Sequence, residues 1–220
     1  MNPPSSAHLL GTDMFGRDIF ARVLYGGQVS LAIGLATAVL ATTAGTILGL
    51  VAGAWQASDN ILMRIMDGIM AIPGILLAIA LATIFGGGIS TVIFALAVPE
   101  VPGVARVVRT VTLTLREQLF IEAGRSYGDS PLRLLFKYIL PNAMAPIAVQ
   151  ATYICGLAIL YEAYLSFVGI GVPPEQPTFA LIAPYLILYP SLVIGAVVLA
   201  VNLIGDGLRD MLDPRFALPD

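Results

Sequence analysis

The chain has 220 residues, of which 58% are hydrophobic and only 11% are charged, and its formal net charge is −3. Because soluble domains usually contain about 25% charged residues, this composition, with its mean hydropathy of +0.90, predicts an integral membrane protein. Basic and acidic residues are interleaved, which argues against a nucleic-acid partner. Cys155 is the only cysteine and His8 the only histidine, so an intrachain disulfide is excluded and no metal site is predicted.

The first 28 residues contain no long apolar run and therefore no segment typical of a signal peptide. We interpret residues 1–28 as an external or interfacial segment. The charge-free stretch at 29–55 can cross about 30 Å of hydrocarbon, and Trp55 is typical of a membrane interface. Small residues recur every four positions in this first span, which favours close packing of another helix; they are Ala41, Gly45, Gly49 and Gly53.

Two further spans are predicted before a polar loop. The charge-free run at 68–99 is too long for one helix, and three consecutive glycines at 86–88 divide it. The second span is predicted at 64–85, with a kink at Pro73, and the third at 89–113.

Glu100 lies inside the third span, between Pro99 and Pro102. A carboxylate about ten residues into a membrane segment is costly unless it faces water or a partner, and interrupted helices often line transport pathways. Two interpretations stay open: Glu100, with Pro102, faces a translocation path or a polar subunit interface, or it pairs with a nearby arginine for structure alone.

A polar segment at 114–141 follows, and it must face water because a charged hairpin cannot lie in hydrocarbon. A helix is predicted at 115–127, where good helix formers occur without proline, and Gly128 is a typical helix stop. Ser130-Pro131 indicates an N-cap with proline at the first position of a second short helix. That helix should end or kink at Pro141.

Beyond the loop, the charge-free stretch at 138–161 predicts a fourth span at about 143–167. A second charge-free stretch predicts a fifth span at 180–205, and an external loop at 167–178 that is rich in glycine and proline joins the two spans. Glu162, near the far end of the fourth span, either faces a polar vestibule or reaches the membrane interface. No internal repeat or linker interrupts the chain, so we predict one transmembrane domain over 1–220.

The polar loop resembles the cytoplasmic loop of ATP-binding-cassette (ABC) importer permeases, whose pattern is Glu-Ala-Ala, three residues, Gly, nine residues, Ile, one residue, Leu-Pro. Gly124 replaces the second alanine and Tyr138 the isoleucine. By helix propensity alone, Gly124 would loosen the helix by up to about 1 kcal/mol relative to alanine. The resemblance implies that the loop couples to a separate ATPase subunit through Glu122, Ala123, Gly124, Arg125, Gly128, Asp129, Ser130, Pro131, Leu140 and Pro141.

Two further segments resemble the dipeptide, oligopeptide and nickel subgroup of these permeases, and more narrowly the second of its two permease subunits. One is Gly11-Thr12-Asp13 with Gly16-Arg17-Asp18, and the other is Asn202-Leu203-Ile204-Gly205-Asp206 with Asp213-Pro214-Arg215. The resemblance implies an all-α, polytopic helix bundle of the type I importer permease kind in a bacterial or archaeal cytoplasmic membrane. Peptides are the implied cargo, and nickel or another small solute is the alternative.

The same resemblance implies a second permease subunit, two ATP-binding subunits and an extracytoplasmic substrate-binding protein as partners, within the lipid bilayer. The chain has no Gly-x-x-x-x-Gly-Lys-Ser/Thr phosphate loop, so ATP and magnesium should be bound by the ATPase partners, and we predict no cofactor and no enzymatic activity here. A secondary transporter would not need such a loop. An intramembrane enzyme would need a nucleophile with a base, paired catalytic aspartates or a metal site, and the sequence contains neither a Gly-x-Ser-x-Gly nor a His-Glu-x-x-His motif.

The distribution of basic residues predicts the topology. If the polar loop is cytoplasmic, nine lysines and arginines lie inside and only Arg17 and Arg22 lie outside, as the positive-inside rule requires. Five spans then place the N-terminus outside and the C-terminus in the cytoplasm. Because the subgroup usually has one more helix upstream, we expect that a sixth helix is missing before Met1.

Overall fold

The computed structural model describes residues 8–12, 16–171 and 188–212, and within these the regular secondary structure is helical. The first half contains the helices α1 (Ile19–Ala54), α2 (Gln56–Met70), α3 (Gly74–Phe85) and α4 (Ile89–Arg116). The polar loop and second half contain α5 (Leu119–Ser126), α6 (Pro131–Leu134), a π-helical turn (Leu135–Ile139), α7 (Leu140–Phe167) and α8 (Leu188–Leu212). An isolated bridge joins Thr12 to Asp18.

Helix α1 begins ten residues before the predicted start of the first span. Asp18 caps it, because its carboxylate accepts hydrogen bonds from the backbone N–H groups of Phe20 at 2.8 Å and Ala21 at 3.4 Å. Residues 19–28 of the segment interpreted as external or interfacial therefore form the first turns of α1, and their position relative to the membrane stays a prediction. At 36 residues, α1 is about 54 Å long and extends well beyond a 30 Å hydrocarbon layer.

The small-residue face of α1 packs against α4, as its spacing predicts. A β-carbon added to Gly45 would lie 2.5 Å from the Val104 β-carbon, and one added to Gly49 would lie 2.6 Å from the Ala105 carbonyl oxygen. Both distances are shorter than any ordinary contact, so only glycine permits this approach. α1 and α4 form the most extensive helix pair in the described part of the chain, and this pair is the centre of the bundle.

The second predicted span is two helices rather than one kinked helix. α2 and α3 meet at an angle of 88° across the break at residues 71–73. Pro73, which has no N–H and an extended backbone (φ −53°, ψ 128°), stops the chain from continuing as a helix. α2 also starts at Gln56, eight residues before the predicted 64, so the span at 64–85 is corrected to a bent pair.

Three helical segments of the described residues are long and apolar enough to cross a membrane, at Ile19–Ala54, Ile89–Arg116 and Pro131–Phe167, and the bent α2–α3 pair can form a fourth crossing. α4 continues unbroken through Pro99 and Pro102, so the third span is not interrupted as its prolines suggested. The predicted fifth span at 180–205 and external loop at 167–178 lie partly outside the described residues, and within them α8 runs from Leu188 to Leu212.

The interior joins the spans to the polar loop. One cluster of buried side chains extends from α1, α4 and α7 to Ile121 of α5 and Leu134 of α6. The loop and the helices α1, α4 and α7 therefore share one packed interior.

Candidate functional site

The first feature of the polar loop is the turn that ends α5. Gly128 has a φ of +86°, the Asp129 N–H donates to the Gly124 carbonyl at 3.0 Å, and the Gly128 N–H donates to the Arg125 carbonyl at 2.9 Å. This pair of hydrogen bonds is the Schellman arrangement, which satisfies the last carbonyl groups of a helix. The predicted helix stop at Gly128 is therefore confirmed, with the positive φ that favours glycine.

The second feature is the restart of the helix. The Ser130 hydroxyl accepts a hydrogen bond from the Arg133 N–H at 3.3 Å, and Pro131 occupies the first helical position. Both assignments agree with the sequence. We name the unit formed by α5, its turn and α6 the elbow, covering residues 119–134.

Two predicted boundaries of the loop are wrong. The single helix expected at 115–127 breaks at Glu117 and Gln118, because α4 ends at Arg116 and α5 begins at Leu119. Of the two outcomes predicted at Pro141, an end or a kink, the helix does not end there: it passes through the π-helical turn into α7. Since proline lacks an N–H and crowds the carbonyl group four residues before it, the wider π turn directly before Pro141 accommodates the ring.

Asp129 fastens the turn to the segment that follows it. Its carboxylate accepts hydrogen bonds from the Arg133 guanidinium at 3.1 Å and from the Tyr138 hydroxyl at 3.2 Å. The bond from Arg133, and then that from Tyr138, lower the pKa of the Asp129 carboxyl below its ordinary value. Tyr138, which departs from the isoleucine of the family pattern, thus supplies a hydroxyl that isoleucine could not.

Gly124 has a packing role that helix propensity did not predict. The residue is buried, and a β-carbon placed on it would lie 2.9 Å from the Leu134 Cδ2 atom. α5 and α6 therefore approach each other closely at this point. The expected looseness of the helix is offset by this contact, which a larger residue would disturb.

The elbow carries both polar and apolar exposed side chains. Glu122, Ala123, Arg125 and Pro131 are exposed. Large apolar residues are exposed beside them, including Tyr127 at 91% and Leu119 at 82%. The exposed large apolar residues of the elbow are Leu119, Phe120, Tyr127 and Leu132, and Phe136 of the π-helical turn is exposed as well. The sequence analysis missed these residues, because their exposure depends on Ile121 and Leu134 filling the interior instead.

Arginines in the second half of α4 join this helix to α1 and α2. Arg116 donates to the carbonyl groups of Gly53 at 2.6 Å and Ala54 at 3.0 Å, which caps the end of α1. Arg109 forms a bidentate pair with Asp59 of α2, and Arg106 pairs with Asp67 of the same helix. These contacts, which span 39 to 63 positions of sequence, have no local signal.

The two carboxylates predicted for a path or an interface lie away from the elbow. Glu162 is fully buried between α7 and α1, where its carboxylate accepts hydrogen bonds from the Ser30 hydroxyl at 3.0 Å and the Ser166 hydroxyl at 2.7 Å. The sequence analysis expected Glu162 to face a polar vestibule or to reach the membrane interface, and its complete burial contradicts both alternatives. Glu100 is half-buried, and Pro102 beside it is buried.

A family model described as "binding-protein-dependent transport system inner membrane component" matches residues 41–218. The chain belongs to this family. It is a multi-pass inner-membrane component of an ABC importer, as the loop and the two outer segments predict.

Proteins of known name agree with this assignment. A peptide transport system permease protein of Brucella abortus is 47% identical over 98% of this chain and 76% of its own length. A glutathione transport system permease protein of Pectobacterium atrosepticum is 44% identical over 96% of this chain and 74% of its own. A chain of the inward-facing MetNI methionine ABC transporter, 19% identical, has a TM-score of 0.72 over 88% of this chain and 97% of that chain, which confirms the predicted fold.

Proposed function

We propose that this permease carries short peptides across the membrane and that its elbow transmits the cycle of a separate ATPase to the spans. The observation that carries the coupling role is the elbow itself, a hydrogen-bonded helix-turn-helix unit in which Tyr127 and Leu119 are exposed. Peptide cargo is supported by the names of the relatives, which specify peptide and glutathione transport. Nickel or another small solute is the alternative cargo.

The contacts of the elbow support a lever rather than a flexible tether. Its C-terminal end continues through the π turn into α7 without a loop, and its N-terminal end lies two residues from α4. Arg116, at the end of α4, holds the end of α1. A push on the elbow is thus delivered to three spans at once, and through the Arg109–Asp59 pair to α2 as well.

The partners follow from this role. The ATPase subunits bind ATP and magnesium and supply the hydrolysis, whereas the permease subunit has no ATP site of its own. A second permease subunit completes the path as a heterodimer, two ATPase subunits dock from the cytoplasm, and an extracytoplasmic binding protein delivers the cargo. The elbow and the C-terminus are then cytoplasmic, in agreement with the nine-to-two distribution of basic residues in the sequence.

Co-purification of the ATPase subunits with exposed-aromatic variants tests the docking surface. Tyr127→Ala should weaken the association by about thirtyfold, since an aromatic anchor at an interface is worth about 2 kcal/mol or more. Tyr25→Ala is the matched control, because Tyr25 is 63% exposed but lies on the first turns of α1. Equal association of the two variants would show that the elbow is not the dock.

A further inference from the structure

One face of α4 is left uncovered within the described part of the chain. Glu100, Gly103, Val107, Thr110 and Thr114 follow one another at intervals of three and four, so they share a helix face. Thr110 and Thr114 are exposed and the other three are half-buried, and a β-carbon added to Gly103 would find no atom within 4 Å. The two threonine hydroxyls donate to backbone carbonyl groups one turn earlier and so suit lipid. The Glu100 carboxylate does not, so its part of the stripe faces water or another polar surface.

The carboxylate at the head of this stripe lacks a partner. Glu100 forms no hydrogen bond or ion pair with any residue that the structure describes, although Arg106 and Arg109 of the same helix both pair with aspartates of α2. The interpretation of Glu100 as one half of an internal ion pair is therefore contradicted for the described residues. Glu100 lies about 17 Å from the start of α4, which is near the middle of a bilayer, where a carboxylate needs a compensating group.

The surroundings of Glu100 favour a positive charge. Tyr161 of α7 is half-buried and lies within electrostatic range of the Glu100 carboxylate. Its ring face and hydroxyl oxygen can both interact favourably with a cation. An ionised Glu100 within range of this ring therefore attracts a cation and repels an anion.

We propose that Glu100 and Tyr161 form a cation-binding station on the translocation path, and that the station binds the protonated amino terminus of a peptide as it passes. This proposal rests on the proposed function, because peptides carry an α-ammonium group that is largely charged at neutral pH. The open space beside Gly103 suits a transient ligand.

Charge-selective labelling of the assembled transporter tests the station without depending on uptake. A cysteine at Gly103, where a side chain has room, is reacted with a cationic and an anionic thiol reagent, each normalised to its rate with a free thiol. We expect the cationic reagent to be favoured by about tenfold over the anionic one, as a nearby carboxylate in a partly shielded site requires. Glu100→Gln should bring this ratio close to one, and Glu100→Asp should retain part of it. The parent chain, whose buried Cys155 is its only thiol, gives the background.

Protection by peptides identifies the ligand. Dialanine should slow the cationic labelling of the Gly103→Cys protein, whereas N-acetyl-dialanine, which has no ammonium group, should not. Three results would each overturn the proposal. The two peptides could protect equally or not at all. The ratio of cationic to anionic labelling could stay unchanged in Glu100→Gln, or the cysteine at Gly103 could never react because a second permease subunit covers it. Failure of ATP-driven peptide uptake by the parent complex would instead count against the proposed function, and the two failures are therefore distinguishable.

Discussion

Replacement of Gly128 tests whether the elbow must keep its shape to couple. The residue has a φ of +86° and a β-carbon there would meet no atom within 4 Å, so a side chain is opposed by backbone strain and not by crowding. A non-glycine residue in the left-handed region costs roughly 1–2 kcal/mol, and a β-branched residue lies at the upper end. We therefore expect Gly128→Val to destabilise the turn by about 2 kcal/mol.

The chain offers a matched control at the same position. Asparagine adopts the left-handed conformation far more readily than valine, so Gly128→Asn introduces a side chain with little strain. Since 1.4 kcal/mol is a factor of ten, Gly128→Val should lower ATPase affinity by up to about thirtyfold while Gly128→Asn stays close to the parent. Insertion of the spans should be unaffected in both variants.

The assay is co-purification of the ATPase subunits, together with substrate-stimulated ATP hydrolysis in reconstituted vesicles. Valine should reduce association or uncouple hydrolysis from uptake, and asparagine should do neither. If the valine variant binds and couples like the asparagine variant, the reasoning from backbone geometry is refuted. If both fail equally, the surface and not the conformation of the turn is what matters.

Three further predictions concern packing and charge. Gly49→Ala should lower the thermal stability of the purified protein by about 1–3 kcal/mol, because its β-carbon would lie 2.6 Å from the Ala105 carbonyl oxygen; the control Gly68→Ala, which has open space, should be neutral or stabilising. Ser30→Ala should lower the thermal stability in the same melt by about 1–3 kcal/mol, since it removes a hydrogen-bond donor from the buried Glu162. Ser90→Ala, at an exposed serine, is the control and should not; equal melting temperatures of the two variants would contradict the role of Ser30 in stabilising Glu162. Because the pKa of Asp129 is lowered, the stabilisation it gives is complete above the ordinary value of about 3.9 and disappears only as the pH falls below it. The protection factors of the α5 and α6 amides, which are corrected for the pH dependence of intrinsic exchange, should therefore be the same at pH 5.5 and 7.5. A lower protection factor at either pH would argue against the Asp129 contacts.

Local chemistry made much of the elbow predictable. The helix stop at Gly128 and the N-cap at Ser130 each depend on residues within five positions. The break at Pro73 is also local, because it depends on the proline itself. The packing face of α1 was also predictable, since a stripe of glycines has few other uses in a membrane helix. The family pattern added the coupling role, which no local rule supplies.

Long-range contacts explain what the sequence did not reveal. Ser30 and Glu162 are 132 positions apart, so the burial of Glu162 could not be inferred from its apolar neighbours. Arg116 contacts Gly53 across 63 positions. This contact lies at the end of α4, where helix propensity alone predicted that the helix would continue. The exposed face of the elbow was missed for a related reason, because Leu119 and Ile121 look alike in sequence and only packing makes one exposed and the other buried.

The most direct test of the account is peptide uptake by the reconstituted complex of this permease with its second permease subunit, ATPase subunits and binding protein. We predict that a labelled dipeptide accumulates inside vesicles only when ATP is supplied on the elbow side, and that Gly128→Val abolishes most of this accumulation while the protein remains inserted. Accumulation driven by an ion gradient without ATP, or uptake that proceeds without the ATPase subunits, would contradict the assignment of this chain as the ATPase-coupled peptide permease.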